Sequence, residues 1–293
     1  MVVVAAVASA SVFSVCCLLP FVACLSVVAN TILKYQILGA EFRLLPRILS
    51  AMFTVGLFIL KLISYTPFFI LYGMSSCLAF LINLSSDARK VPYRNFFRVY
   101  GTLSDRELKK MTYKYFRAFI DFFVEMAKMT SFSEKRIKQH CVFKNIELVE
   151  RLAQEHGFIL CFAGHMLNYE MTISIPLHTK DIGMCHLYLA TKPSKGLDWM
   201  LKERSKYGAV NVPSNAPLKT ILRLNKEIEE GKSKYKSYLF GSLSDLDPKM
   251  DDKHSAPFFG RMLEVKTGAE KLARKFNMGY CYAYIRQTKR GYY

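Results

Sequence analysis

Charge is missing from the start of the chain. Residues 1–33 carry no charged side chain, Lys34 is the first, and residues 48–86 carry only Lys61. Such stretches do not make the surface of an ordinary water-exposed domain, and each is long enough to cross a bilayer, which takes about 20 apolar residues. No basic residue opens the chain at Met1-Val2-Val3-Val4, which argues against a cleaved secretory leader. Cysteine is present eight times but never as a CxxC pair, so neither a zinc ribbon nor a disulfide framework is indicated. The thiols read as reduced and buried. Acidic residues are few, 23 against 41 Lys plus Arg, for a net charge of +18. That charge suits an anionic membrane surface or an acidic carrier protein. There is no zinc-finger spacing, no aromatic RNA-binding signature and no Gly-rich P-loop, so nothing beyond charge supports nucleic acid.

What is present divides the chain unevenly. We expect an apolar N-terminal extension over 1–51, with a possible extra transmembrane segment. A membrane anchor over 52–86 and an α/β domain over 87–293 follow. Pro67 interrupts the second apolar stretch and ends or kinks any helix there. Arg43 and Arg47 precede that stretch, and Arg89, Lys90, Arg94 and Arg98 follow it. Basic residues on both sides give no clean topology by the positive-inside rule. They fit a segment that dips into one leaflet with both flanks cytoplasmic.

Beyond residue 87 the periodicity changes. Ser104-Asp105-Arg106-Glu107 has the form of a capping box, and apolar residues at helical spacing follow to Met129. The aromatic residues of that run, such as Phe116, Phe119 and Phe123, read as helix core rather than as an acyl pocket. A second helix is expected over 145–156. Short apolar runs at 158–164, 183–190, 236–241 and 279–285 read as buried strands. Helical patterns at 197–207, 217–230 and 267–276 alternate with them. This order predicts an α/β fold with a largely parallel central sheet flanked by helices, behind an apolar membrane-anchoring helical region.

The sharpest chemical feature is His165-Met166-Leu167-Asn168-Tyr169-Glu170, just past the strand at 158–164. Reacting groups in open α/β sheets gather beyond the carboxyl ends of strands. A carboxylate five residues after a histidine can hold one imidazole nitrogen and leave the other as general base. An imidazole titrates near neutrality, which suits proton removal from a hydroxyl. The spacing alone is unspecific, since His and Glu fall at this interval by chance. His140, His156, His178, His186 and His254 share no ligand spacing, and no metal or other cofactor is expected.

Around these residues the sequence resembles the late, lauroyl/myristoyl-type acyltransferases of lipid A biosynthesis, within the lysophospholipid-acyltransferase-like superfamily. Gly164, His165, Asn168, Tyr169 and Glu170 match the family's H-x4-E block in order. Tyr93-Arg94-Asn95 resembles its basic segment, and the helix that follows carries Glu125. Lys192-Pro193 stands where Arg-Pro is usual. Arg204 with Tyr207-Gly208, Asp245-Leu246-Asp247-Pro248, Phe258-Phe259-Gly260 and Thr267-Gly268-Ala269 continue the series. The resemblance covers roughly 60–285. Met166-Leu167, Tyr169, Lys192 and Leu246 depart from the usual residues.

The resemblance implies a glycerolipid acyltransferase-like fold and acyl transfer from a thioester, carried by acyl-carrier protein, to a hydroxyl of a lipid A precursor. His165 would be the base and Glu170 its partner. Arg204, Asp245, Asn168 and Lys192 would bind substrate, with Arg204 at a developing oxyanion or an acceptor phosphate. Asp245 would anchor that arginine or position a hydroxyl. The implied location is the inner membrane with the catalytic domain facing the cytoplasm. Family members usually begin near Met52 and continue past residue 293, so a natural start at Met52 and a missing C-terminal end are expected. Two alternatives stand beside this. One is acylation of another glycolipid or a glycerophospholipid, whose enzymes more often carry Asp at the position of Glu170. The other is a non-catalytic, membrane-associated lipid-binding protein.

Overall fold

The computed structural model describes residues 45–189, 195–243, 245, 254–265 and 267–293. The apolar extension over 1–44, Lys192-Pro193 and Leu246-Asp247-Pro248 lie outside the described residues. The chain divides into two compact units. Of the described residues, one unit holds 45–94 with Ser104–Ser131, and the other holds Asn95–Leu103 with Phe132–Tyr293.

The first unit is helical. Helix α1 (Leu45–Tyr65) stops at Thr66-Pro67, and α2 (Phe68–Leu84) restarts directly after the proline. The proline has no N–H to donate, and its ring collides with a helical carbonyl four residues back, so the break falls where the sequence predicts. Helix α3 (Ser86–Val99) follows. Helix α4 (Asp105–Met129) begins with the expected capping box: Ser104 Oγ accepts from the Glu107 backbone N–H, and Glu107 reaches back to the Ser104 N–H at 2.9 Å.

The second unit is the α/β domain. After α5 (Glu134–His140) and α6 (Ile146–His156) come β1 (Phe158–Ala163), a 3-10 helix (Tyr169–Leu177), β2 (Ile182–Tyr188) and α7 (Lys195–Arg204). Then follow β3 (Val210–Pro213), α8 (Pro217–Glu229) and β4 (Ser237–Leu243). A hairpin of β5 (Ser255–Phe258) and β6 (Arg261–Glu264), α9 (Gly268–Lys275) and β7 (Gly279–Tyr282) complete the unit. Five strands form one sheet in the order β3-β2-β4-β1-β7, every neighbouring pair parallel. This is the largely parallel sheet expected from the sequence. Successive residues Phe158, Ile159, Leu160 and Cys161 are all buried although they point to opposite faces, as a sheet covered on both sides requires. On one face Phe158, Leu160, Tyr238 and Phe240 pack with Ile221 and Leu224 of α8 and Ala273 of α9.

Several elements escaped the sequence reading, the helices α3 and α5 among them. Strand β3 is only four residues long, and β5 with β6 form a separate antiparallel pair. The two-residue turn of that hairpin, Phe259-Gly260, has positive φ at both positions, 46° and 75°. The segment after Asn168 is a 3-10 helix.

Candidate active site

Register in the sheet builds the site. Strands β1 and β4 are neighbours, with Ala163 opposite Leu243 at their carboxyl ends. His165 lies two residues past Ala163, and Asp245 lies two residues past Leu243. The two therefore emerge side by side, 80 positions apart in sequence. Asp245 Oδ1 accepts from His165 Nδ1 at 2.6 Å, and Asp245 Oδ2 accepts from the His165 backbone N–H at 2.7 Å. Gly164 makes room for this approach, since a Cβ there would stand 3.1 Å from Asp245 Oδ2. Burial alone would raise the Asp245 carboxyl, but the His165 ring and backbone hydrogen bonds hold it below the usual carboxylate range. An ionised carboxylate can only accept, so the imidazole hydrogen sits on Nδ1 and Nε2 is the nitrogen that can take a proton.

Glu170 goes elsewhere, which corrects the expected His165–Glu170 pairing. The 3-10 turn starting at Tyr169 buries Glu170, 4% exposed, and carries its carboxylate to Arg204. Arg204 Nε donates to Glu170 Oε2 at 3.0 Å, and Arg204 Nη2 donates to Oε1, making a two-pronged ion pair. Burial pushes the Glu170 carboxyl up, but the Arg204 charge and hydrogen bonds outweigh it and hold it low. His165 lies near enough to add to that lowering. Asp245 likewise anchors His165 and not Arg204.

The local sequence explains how Arg204 is presented. It is the last residue of α7. Asn211 Nδ2 donates to the Leu201 carbonyl at 2.8 Å and to Ser205 Oγ at 2.7 Å, fastening the end of that helix to β3. Tyr207, buried, donates its hydroxyl to the Phe132 carbonyl at 3.0 Å. Gly208 turns the chain with φ of 90°, and a Cβ there would stand 2.5 Å from the Tyr235 hydroxyl. The Arg204-x-x-Tyr207-Gly208 element is thus an anchored turn that points the guanidinium at Glu170.

Three further residues frame the site. Asn168 is 1% exposed, and its carbonyl accepts from the Met171 N–H at 3.2 Å, opening the 3-10 helix. Leu167 before it has φ of 51°, a left-handed conformation uncommon for a residue with a branched side chain and met most often where a site stores strain. His186, which the sequence gave no role, stands at the end of β2 between the opposing charges of Glu170 and Arg204. Burial pushes its pKa down to about 4, and its buried Nε2 has no hydrogen-bond partner. Only the strand order, β2 beside β4 beside β1, brings it there. A 280 Å³ pocket lined by His156, Phe158, Ile221 and Phe276 opens at the amino ends of β1 and β4, away from these groups.

An imidazole held by one carboxylate, beside a partly buried arginine held by another, at the carboxyl ends of a parallel sheet, is the equipment of an acid–base enzyme of the α/β class. The model of the bacterial lipid A biosynthesis acyltransferase family matches residues 40–293, and the chain belongs to that family. It is an acyltransferase of lipid A biosynthesis. No curated protein sequence matches it.

Proposed function

We propose that the chain transfers a fatty acyl group from acyl-carrier protein to a hydroxyl of a lipid A precursor, with His165 as general base and Asp245 as its holder. The observation that carries this reading is the pair of hydrogen bonds from the His165 ring and backbone to Asp245. With Nδ1–H committed to the carboxylate, Nε2 accepts the acceptor's hydroxyl proton as that oxygen attacks the thioester carbonyl. The carbon–oxygen bond forms, the carbon–sulfur bond breaks, and the leaving thiolate takes the proton back from the imidazolium. The acceptor's own hydroxyl is the nucleophile in this scheme, and no acyl-enzyme is invoked.

Glu170 and Arg204 act together in this scheme. Their buried pair ties the segment after His165 to the end of α7 and sets a guanidinium at the edge of the site, where oxyanion charge or an acceptor phosphate would be met. Asn168 shapes the turn between the two carboxylate partners. Lys192 is proposed to bind the acceptor's phosphate as a point charge.

The work is proposed to occur at the cytoplasmic face of the inner membrane. Helices α1 and α2 support this with large exposed apolar side chains, Phe58 and Phe69 among them, and with basic residues on both flanks. Transfer of labelled acyl groups from acyl-carrier protein to a lipid A precursor tests the reading. His165→Ala is expected to lose at least about a hundredfold in rate while remaining folded. Turnover within a few-fold of the parent would remove His165 from the mechanism.

A further inference from the structure

The helical unit buries charges and hydroxyls beside apolar side chains such as Leu71, Phe116 and Phe123, while α1 and α2 show large apolar side chains on their exterior. Three ionisable residues of α4, Asp121, Glu125 and Lys128, recur at helical spacing on one face, and all are buried. Each meets a polar group of the α1–α2 pair. Ser75 Oγ donates to Asp121 Oδ1 at 2.5 Å, and Tyr72 donates its hydroxyl to Glu125 Oε1 at 3.0 Å. Lys128 Nζ donates to the carbonyls of Ser64 at 2.6 Å and Thr66 at 2.8 Å, and lies 5.1 Å from the centre of the Phe68 ring. Ser131 Oγ adds a bond to the Ser64 carbonyl at 2.9 Å. These are the carbonyls left without helical partners where α1 ends.

Outside, the pattern is reversed. Phe58, Leu62, Phe69, Met74, Leu81 and Leu84 are each at least 55% exposed. Between Phe53–Tyr65 and Phe68–Leu84 the chain turns through 114°, and among the described residues no single helix is long and apolar enough to cross a bilayer. A turn beyond a right angle sends the second arm back towards the side from which the first arrived. Arg43 and Arg47 stand before the pair, and Arg89, Lys90 and Arg94 stand after it.

From these observations we infer that α1 and α2 form a re-entrant wedge seated in one leaflet of an anionic bilayer, locked in its bent form by the Asp121–Glu125–Lys128 seam. Hydrocarbon surrounds the apolar exterior, and the Ser64 and Thr66 carbonyls at the bend are satisfied from within, as a break inside a membrane requires. Both basic flanks then lie at one anionic surface. Lys128 is the central piece, because it supplies donors to the Ser64 and Thr66 carbonyls where α1 ends. Were it absent, those carbonyls would gain most by continuing the helix, and the pair would tend towards a straight span.

The inference rests on the membrane reading above, and the test separates the two. Arg47→Cys and Lys90→Cys are placed singly in the full chain, in a background whose native cysteines are replaced and whose acyl transfer is retained. Each is treated with a membrane-impermeant maleimide from either face of native membranes. Labelling of both from the cytoplasmic face alone is the expected result. Labelling from opposite faces would overturn the wedge while leaving the chain membrane-bound. Release of the chain by alkaline carbonate would overturn the membrane reading itself. Adding Lys128→Met is expected to move more than half of the Lys90→Cys label to the other face, whereas Lys128→Arg keeps the parent pattern. Unchanged labelling with Lys128→Met in a chain that still inserts would remove the seam as the lock.

Discussion

At the scale of single residues, the central finding is an exchange of partners. The H-x4-E block puts a histidine and a glutamate five residues apart, and a turn could have joined them. The chain instead enters a 3-10 helix at Tyr169, which carries Glu170 inward to Arg204 and leaves His165 to Asp245. The two carboxylates therefore carry different predictions. Glu170→Gln strips a partly buried guanidinium of its counter-charge and is expected to cost up to ~3 kcal/mol of stability, read as a lowered denaturation midpoint. Replacing both members, Glu170→Leu with Arg204→Met, should recover most of that loss. His186 adds a pH dependence. Its folded pKa, about 4, lies below the ordinary value near 6.5, so the unfolded chain binds the proton first as pH falls. Stability should accordingly decline from about pH 6.5 to about pH 4, by at most about 1.4 kcal/mol per unit from this group. The Glu170 and Asp245 carboxyls, both held low, add losses at still more acid pH. His186→Gln is expected to flatten the upper part of that profile, as followed by thermal unfolding across pH.

At the scale of elements, the sequence was most legible where periodicity is strong. The capping box and the helix over 105–129, the break at Pro67 and the four apolar strands appear where their patterns place them. Strand β3 was not legible because its four residues, Val210–Pro213, are too few to show a period. The His165–Asp245 contact was hidden for another reason. It depends on which strand lies beside β1, and strand order leaves no mark on local spacing. The glycines record such contacts only indirectly. Gly164 looked like the end of an apolar run, yet its missing side chain is what admits the Asp245 carboxylate. Gly164→Ala should displace that carboxylate and slow acyl transfer by roughly tenfold to a hundredfold, with little change in unfolding temperature, as steady-state rates and calorimetry would show.

At the scale of the whole chain, two compact units carry different physics. The α/β unit hides apolar strands on both faces of its sheet, as water requires. The helical unit hides Asp121, Glu125 and Lys128 and shows Phe58 and Phe69 outside, the arrangement on which the proposed membrane wedge rests. Composition made the second legible as an absence of charge over 48–86, but only the structure reveals the bend and the charged seam beneath it. Family membership supplies the reaction, and the sheet register supplies the pair of groups proposed to perform it.

The most direct test of the account is the acyl-transfer rate of Asp245→Asn beside that of the parent, the variant being shown to be folded. An amide can donate to Nδ1 and so favours the wrong tautomer of His165. The account predicts that Asp245→Asn loses about a hundredfold or more in rate with an unfolding temperature near that of the parent. An Asp245→Asn protein that turns over within a few-fold of the parent would contradict it and remove Asp245 as the holder of His165.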